Sequence, residues 1–446
     1  MSTTLTGRRS VPAAVVGLAV AVVLMALAML VPALTGWNVR VNDFPPLHAE
    51  WDPRVGWGTV PALVLAGLGL RHATALSERL TWRRLLLVVF VVGLLWMLSL
   101  ALVDGLHGID SVLGEKYEYL RTARRNQDLG SLMKLFTEYP ARIPYAAKPF
   151  NLSVHVAGHP AGALFFFWVL VKVGLGSGLA AGLAVTVVAA STAVGVLVTL
   201  RALGAETMAR RVAPLLTLGP AAIWQAVSGD AMFAAFAAWG IACLAIAATR
   251  RSIPWSLLAG ALLGYCVMLS YGLPLLGVLA IAVLVVARSW LPLGFAVVAA
   301  VAVVGAFYAL GFHYLEVLPA IHTRYYEGVG GRRPWAYWMW GDLAAFAFSA
   351  GPLAFAGAAE LFARGRGSLA EPATRVVLWL AGAGVAMALL ADLSQMSRAE
   401  VERIWLPFAP WLLVACALLP ERWRVRGLAL QVALALVVQH LLATGW

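Results

Sequence analysis

Apolar runs recur along almost the whole of this chain and are separated by short joints that carry arginine. Runs of about 20 apolar residues match the hydrocarbon thickness that a membrane α-helix crosses. The composition agrees, because 62% of the 446 residues are hydrophobic and only 12% are charged. A soluble protein of this length has no means of hiding so much apolar surface. The sequence therefore predicts an all-α polytopic membrane protein, whose helices satisfy their own backbone hydrogen bonds in the bilayer.

Basic residues outnumber acidic ones, and the formal net charge is +12. In a soluble domain this excess would suggest nucleic-acid binding. Here arginine at the cytoplasmic ends of membrane helices explains it, so we expect the lipid bilayer as a partner and no nucleic acid. The cysteines Cys243, Cys266 and Cys416 lie singly in apolar runs, and their spacing predicts neither a disulfide framework nor a zinc site.

The arginine-rich joints predict the topology, because basic joints favour the cytoplasmic side of a membrane. We expect about thirteen membrane helices, with the N-terminus inside, an uncleaved first span and the C-terminus outside. The predicted spans are 12–35, 57–70, 85–103, 179–200, 212–228, 231–248, 254–271, 273–287, 292–311, 343–362, 374–392, 404–420 and 427–444. The arginines placed inside are Arg8, Arg9, Arg71, Arg79, Arg83, Arg84, Arg201, Arg210, Arg211, Arg250, Arg251, Arg288, Arg364, Arg366, Arg422, Arg424 and Arg426.

One further apolar run, 161–175, is predicted not to cross the membrane. It is short, it follows a His-Pro pair and it contains Lys172. If it crossed, the joint with Arg201, Arg210 and Arg211 would lie outside, against the charge rule. We therefore expect an interfacial or re-entrant helix that returns the preceding loop to the membrane.

No internal repeat, low-complexity stretch or linker divides the chain, so we expect one structural unit. Residues 1–84 form an N-terminal pair of membrane helices in this interpretation. Residues 85–446 form the remaining membrane domain, with outer loops at 104–160 and 313–342. The high content of alanine, glycine, valine and arginine is typical of a GC-rich bacterial genome such as an actinobacterial one, so we expect a protein of a bacterial plasma membrane.

The first outer loop concentrates groups that catalysis uses, and its aromatic residues and prolines argue against disorder. Asp104, Asp110 and Glu115 are the candidate catalytic residues, because a carboxylate serves as a general base toward an acceptor hydroxyl. Asp104 could instead cap a helix end, whereas Asp110 extends farther toward a substrate above the membrane. For Glu118 we expect a surface pair with an arginine of the same helix, Arg121 or Arg125.

Histidines at the end of this loop and polar residues in later outer turns form the candidate binding set. His155 and His159 lie in HVAGHP, which lacks the glutamate of a zinc-binding HExxH motif, so we expect a phosphate or sugar contact, or a structural role, rather than a metal. Asp230 either caps the helix that follows or orients a substrate or metal ion. Arg403 lies outside, against the charge rule, which favours an anionic partner such as phosphate over a plain salt bridge with Glu400 or Glu402.

The second outer loop and a short outer turn add weaker candidates. Tyr271 lies in the turn LSYGLP, and His322 and Arg324 are candidates for phosphate binding. Arg332 and Arg333 precede a tryptophan-rich stretch that is typical of an interfacial aromatic belt. GVGG in the same loop lacks the Lys-Ser/Thr of a phosphate-binding P-loop.

The order of these features resembles the GT-C superfamily of membrane glycosyltransferases, especially the protein O-mannosyltransferase-like and lipid-A-aminoarabinose-transferase-like branches. In that pattern a core helix precedes a large outer loop with an early acidic residue. The loop closes with a His-Pro stretch, here HVAGHPAGALFFFW, where the family often has HPP. A later Asp opens an outer helix end, here SGDAMFAAF, and an Arg precedes a Leu-Pro-x-x-Pro helix, here ERIWLPFAPW. The family's Asp-Glu pair before a Tyr is replaced here by GEKYEY.

The resemblance covers about residues 85–420 and implies a GT-C-like bundle with an active site on the extracytoplasmic face. The implied donor is a polyprenyl-phosphate sugar, such as a mannose or arabinose, and the implied acceptor is a cell-envelope glycan, lipid or protein. A divalent cation, Mg²⁺ or Mn²⁺, stays open as a cofactor. Two other functions also stay open: a transporter or lipid flippase, and a noncatalytic scaffold for envelope assembly.

Overall fold

The computed structural model describes residues 12–364 and 369–445, and most of these residues are α-helical. Three arginines that the sequence assigns to the cytoplasmic side, Arg8, Arg9 and Arg366, are not among the described residues. The fold class predicted from the sequence, an all-α polytopic membrane protein, is confirmed.

Twenty-four α-helices follow one another in the described ranges. They are α1 (Ala13–Thr35), α2 (Thr59–Arg79), α3 (Trp82–Ala101), α4 (His107–Gly114), α5 (Tyr119–Arg125), α6 (Leu129–Thr137), α7 (Tyr139–Arg142), α8 (Val154–Gly158), α9 (Ala161–Lys172), α10 (Gly178–Ala202), α11 (Glu206–Leu218), α12 (Ala222–Gln225), α13 (Gly229–Arg250), α14 (Ile253–Leu269), α15 (Leu276–Ala287), α16 (Leu291–Ala309), α17 (Tyr314–Glu327), α18 (Val329–Arg332), α19 (Trp335–Ser349), α20 (Pro352–Ala363), α21 (Pro372–Ser394), α22 (Val401–Ile404), α23 (Ala409–Leu413) and α24 (Arg422–Leu441). Two short strands, β1 (Glu50–Trp51) and β2 (Leu442–Ala443), pair antiparallel.

Eight of the described helices are long and apolar enough to cross a membrane, and a ninth crossing results if the bent pair α19–α20 counts as one span. The eight are α1, α2, α3, α10, α13, α16, α21 and α24. The shorter apolar helices Ile253–Leu269, Leu273–Ala287 and Ala409–Leu418 coincide with predicted spans and account for part of the difference from the expected thirteen. Helix α9 has 12 residues, which is the short helix expected between 161 and 175.

Three predicted spans are broken instead of continuous. The span predicted at 212–228 ends at Leu218, before Gly219-Pro220, and the one at 404–420 is divided around Pro407 and Pro410. Proline lacks the N–H that continues a helix and clashes with the preceding turn. The span predicted at 343–362 bends by 108° between α19 and α20.

Gly351 forms the corner of that bend and adopts φ 80° and ψ 152°, a conformation that side-chain-bearing residues avoid. A Cβ atom here would come within 2.0 Å of the Gln431 side-chain amide. That amide is itself held, because its nitrogen donates to the Ala350 carbonyl at 2.9 Å. The corner therefore needs glycine.

Replacing Gly351 with Ala should lower the free energy of unfolding by about 1–3 kcal/mol, since both the strained backbone and the displaced Gln431 amide add cost. The thermal unfolding midpoint of the detergent-solubilised protein measures the loss. Gly382→Ala is the matched control, because it lies within α21 with open space around its Cβ position. Equal midpoints for the two variants would show that the corner tolerates a side chain.

Contacts between distant joints define one basic end of the bundle. Arg210 donates to the carbonyl oxygens of Ser77 at 2.8 Å and Leu80 at 2.9 Å. Arg424 pairs with Glu78 at 2.5 Å. The joints before α3, α11 and α24 therefore meet at the same end, as the arginine pattern predicts.

The opposite ends of α2, α3 and α24 meet as well. Strand β1, which precedes α2, pairs with β2, which follows α24. At the end of α3, Asp104 pairs with Arg54 and accepts a hydrogen bond from Gln439 at 3.3 Å. Helices of about 20 residues separate the two ends by roughly 30 Å. Which end faces the cytoplasm stays a prediction.

Candidate functional site

Segments that lie far apart in the sequence converge on Arg403 at the end of the bundle opposite the basic joints. The first outer loop, the start of α13, the second outer loop and the turn before α22 all contribute side chains. We call this group the Arg403 cluster, and it comprises Glu118, Tyr119, His155, His159, Asp230, Arg333, Glu400 and Arg403. The bundle thus gathers ionisable groups at one buried place.

Arg403 forms the centre of the cluster. Its Nη1 donates to Asp230 Oδ2 at 2.5 Å, and its Nη2 donates to Glu400 Oε2 at 2.7 Å. The side chains of Arg403 and Asp230 are only 7% and 5% exposed. Charge-assisted hydrogen bonds are strong in such a water-poor setting. Arg403 therefore forms the salt bridge with Glu400 that the sequence left open, and it also pairs with Asp230, a carboxylate from a distant helix. Phosphate binding by Arg403 stays a prediction.

Glu118 and His155 form a second pair next to Arg403. His155 Nδ1 lies 2.6 Å from Glu118 Oε1, and His155 Nε2 lies 3.4 Å from Arg403 Nη2. With a proton on Nδ1, His155 donates to Glu118 and accepts from Arg403. The pairing of Glu118 with Arg121 or Arg125 that the sequence suggests is wrong. Glu118 precedes α5 in an extended conformation, so its side chain points into the protein and not along the surface of that helix.

The second carboxylate oxygen of Glu118 has a different environment. Glu118 Oε2 is buried and has no hydrogen-bond partner among the described residues. A buried carboxylate oxygen normally has a donor. Glu118 Oε2 is therefore left to accept a hydrogen bond, while Oε1 accepts from His155.

His159 enters the cluster because the chain breaks its helix after Gly158. The residue is extended, with φ −129° and ψ 153°, and Pro160 starts the next helix. His159 Nδ1 lies 3.0 Å from the His155 carbonyl oxygen and 2.8 Å from the Tyr119 hydroxyl. Only the tautomer with a proton on Nδ1 can donate to that carbonyl. Burial lowers the pKa of His159, although Asp230 acts in the opposite direction.

Asp230 is not a helix cap, which corrects one of the two roles that the sequence left open. Ser228 caps α13, since its Oγ accepts from the Ala231 N–H at 3.2 Å. Asp230 lies in the first turn of α13 and pairs with Arg403 instead. Among the residues that the structure describes, no group of three or more His, Cys, Asp or Glu side chains is arranged to hold a metal ion.

The three candidate bases lie apart from the Arg403 cluster. Asp104 pairs with Arg54 and Gln439. Asp110 is exposed beside the start of α10, where its side chain approaches Gly178. Glu115 is exposed as well. The assignment of one of these three carboxylates as the general base stays a prediction, and mutation tests it.

The weaker binding candidates also lie elsewhere. Arg324 donates to the carbonyl oxygens of Ile143 at 2.5 Å and Leu152 at 3.0 Å, so it holds the first outer loop in place. The exposed His322 packs on the ring of Tyr326. The Tyr271 hydroxyl is buried and has no hydrogen-bond partner among the described residues.

Arg333 and Glu400 belong to the cluster, although reasoning from the sequence gave them no more than a basic patch and a salt-bridge alternative. Arg333 Nη2 donates to Glu400 Oε1 at 3.1 Å, and its own side chain is 5% exposed. Burial alone would raise the pKa of Glu400, but Arg403 and Arg333 outweigh it and hold that pKa well below its ordinary value. The only sequence signal for Arg333 was a second arginine in an outer loop.

Glu402, next to Arg403, predicts a pH-dependent stability. Burial raises its pKa to about 7 from the ordinary 4.5, against backbone hydrogen bonds and with help from Glu400. The folded protein therefore binds this proton more tightly than the unfolded chain. The free energy of unfolding falls as the pH rises from 4.5 to about 7.

Glu402→Gln should match the wild type near about pH 4, below the ordinary pKa of the carboxyl, and should unfold at a higher temperature than the wild type near about pH 8, because only the ionised carboxylate is penalised. Thermal midpoints in detergent at both pH values measure the difference. A gap that does not change with pH would assign the effect to packing and not to the proton.

No known family model matches the chain, and no curated protein matches it.

Proposed function

We propose that this protein is an integral membrane glycosyltransferase that moves a sugar from a polyprenyl-phosphate donor to a cell-envelope glycan, lipid or protein. The observation that carries the proposal is the buried carboxylate Glu118, which has one oxygen on His155 and the other without a hydrogen-bond partner among the described residues, beside an arginine fixed by two carboxylates. The proposed site lies on the extracytoplasmic face of a bacterial plasma membrane.

In the proposed reaction Glu118 is the general base. Its Oε2 accepts the proton of the acceptor hydroxyl, while His155 keeps Oε1 in place. The acceptor oxygen bonds to the anomeric carbon, and the bond from that carbon to the phosphate oxygen breaks. Glu118 thus takes the role for which the sequence offered Asp104, Asp110 and Glu115.

Arg403 stabilises the leaving group. The phosphate oxygen takes the electron pair of the broken bond, and the released polyprenyl phosphate gains negative charge. A guanidinium group supplies two parallel donors to such an anion. Asp230 holds one edge of this guanidinium at 2.5 Å and so fixes its plane.

A reconstituted transfer assay tests the function. The purified protein in liposomes is given polyprenyl-phosphate mannose or arabinose with a labelled sugar, together with an envelope extract as acceptor. We expect the label to move to the acceptor and polyprenyl phosphate to be released in equal amount. Protein-free liposomes and the heat-denatured protein are the controls.

Transport is the alternative that one structural feature favours. Transporters use discontinuous membrane helices, and α19–α20 bends by 108° at a break. The ionic groups gather at one end of the bundle, whereas transporter sites lie near the middle of the membrane. Movement of the intact labelled lipid across the bilayer without sugar transfer would establish transport and refute the transferase.

A further inference from the structure

Glu400 bridges the two buried arginines of the Arg403 cluster. Its Oε2 accepts from Arg403 at 2.7 Å, and its Oε1 accepts from Arg333 at 3.1 Å. The arginines come from different parts of the chain, one from the second outer loop and one from α22. The two guanidinium groups together form a site for an anion, and the Glu400 carboxylate occupies it.

A phosphate cannot simply be added to this arrangement. Asp230 and Glu400 already pair with Arg403, and Glu400 also pairs with Arg333. Glu118 lies next to Arg403 through His155, so a further anion would meet three carboxylates. Like charges in a buried site repel strongly. Carboxylate and phosphate are, however, recognised by arginine through the same fork of donors. An incoming phosphate can therefore take the place of Glu400.

The segment that carries Glu400 is held under backbone strain. Ala399 and Glu400 both adopt left-handed conformations, with φ 67° and 64°. A residue other than glycine adopts this conformation only at a cost in free energy, because its Cβ approaches the following carbonyl oxygen. The strain persists because neighbouring groups fix the turn: Asp342 Oδ1 accepts from the Ala399 N–H at 2.8 Å, and Arg333 donates to the Arg398 carbonyl at 2.5 Å.

Arg333 therefore ties both the side chain of Glu400 and the backbone beside it. A ligand that draws the Arg333 guanidinium toward itself weakens both contacts at once. Relief of the two left-handed residues would then favour withdrawal of the turn.

We propose that Arg333 and Arg403 form the binding site for the phosphate of a lipid carrier, and that Glu400 occupies this site until the lipid phosphate displaces it. The identity of the ligand rests on the proposed function. The contacts of Glu400 with Arg333 and Arg403 do not depend on whether Glu118 is the general base. It assigns Arg333 as a phosphate-binding residue and Glu400 as an internal competitor.

Binding of polyprenyl phosphate without a sugar tests the inference. The affinity of the detergent-solubilised protein for this lipid is measured by titration, with the corresponding polyprenol as the probe that lacks phosphate. Glu400→Gln should bind polyprenyl phosphate about tenfold more tightly than the wild type, and Arg333→Gln about tenfold more weakly, as expected for one charged hydrogen-bonding partner. Polyprenol affinity should not change in either variant.

Two further variants keep the result interpretable. Glu400→Asp retains the charge but is too short to bridge both arginines, so it should give an intermediate gain even if Glu400→Gln folds poorly. Glu402→Gln replaces the neighbouring buried acid, which has no ion pair in the described residues, and should leave the affinity unchanged.

The outcomes separate this inference from the proposed function. Unchanged or weaker phosphate binding by both Glu400 variants overturns the competitor role, whether or not sugar is transferred. Unchanged binding by Arg333→Gln overturns its place in the site. If the variants shift phosphate affinity as expected while the wild type transfers no sugar, the phosphate site stands and the transferase proposal falls.

Discussion

Replacing Glu118 with Gln should lower the rate of sugar transfer by about 10³-fold, because general-base catalysis contributes about 10²–10⁴-fold. The glutamine keeps the shape of the side chain and can still accept from His155 through its oxygen. It cannot take a proton from the acceptor hydroxyl. The initial rate at saturating donor, measured in the liposome assay, is the readout.

Controls for this variant come from the same loop. Glu138→Gln removes a carboxylate that pairs at the surface with Arg142, and it should transfer sugar at the wild-type rate. Asp104→Asn, Asp110→Asn and Glu115→Gln test the bases that the sequence favoured. A loss of transfer in Asp110→Asn with full activity in Glu118→Gln would return the base to the sequence-based assignment.

Replacing Arg403 with Gln should produce the largest loss of stability, about 3–5 kcal/mol in the free energy of unfolding. The substitution leaves Asp230 buried without its cation and leaves Glu400 with Arg333 as its remaining partner. Sugar transfer should be lost as well. Chemical unfolding in detergent micelles measures the stability, and the transfer assay measures the activity.

A second substitution separates charge from packing in this result. Adding Asp230→Asn to Arg403→Gln removes the carboxylate that Arg403→Gln leaves without its cation. The double variant should therefore lose less free energy of unfolding than the sum of the losses in the two single variants. Arg332→Gln, an exposed arginine of the second outer loop, is the control and should unfold like the wild type. Additive losses would show that Arg403 and Asp230 do not act as a pair.

The sequence predicted the fold class and the grouping of the joints, because both depend on averaged properties. Hydropathy identifies the membrane class, and the arginine pattern groups the joints that meet near Arg210 and Glu78. Helix continuity depends on single residues instead. Three apolar runs are interrupted at single positions, namely Gly219-Pro220, Gly351-Pro352 and Pro407. Hydropathy predicts each of these runs as one continuous span, because the interrupting residues do not lower the average.

The candidate site was predicted in part. His155, His159, Asp230 and Arg403 were chosen from the sequence, and the structure brings them together. Glu118 was assigned to a helix surface because its spacing to arginine fitted a helical pair. Glu118 is buried because its own backbone is extended just before α5 begins. Its partner, His155, lies in a helix 37 positions away in the sequence. Spacing along one segment cannot reveal such a contact.

The most direct measurement is a density map of the protein with polyprenyl phosphate bound. We expect the phosphate to lie between Arg333 and Arg403, with Glu400 withdrawn and the Glu118 carboxylate facing the same space. Phosphate density at another position, such as the basic end near Arg210 or the surface beside Asp110, with Glu400 still bridging the two arginines, would contradict it.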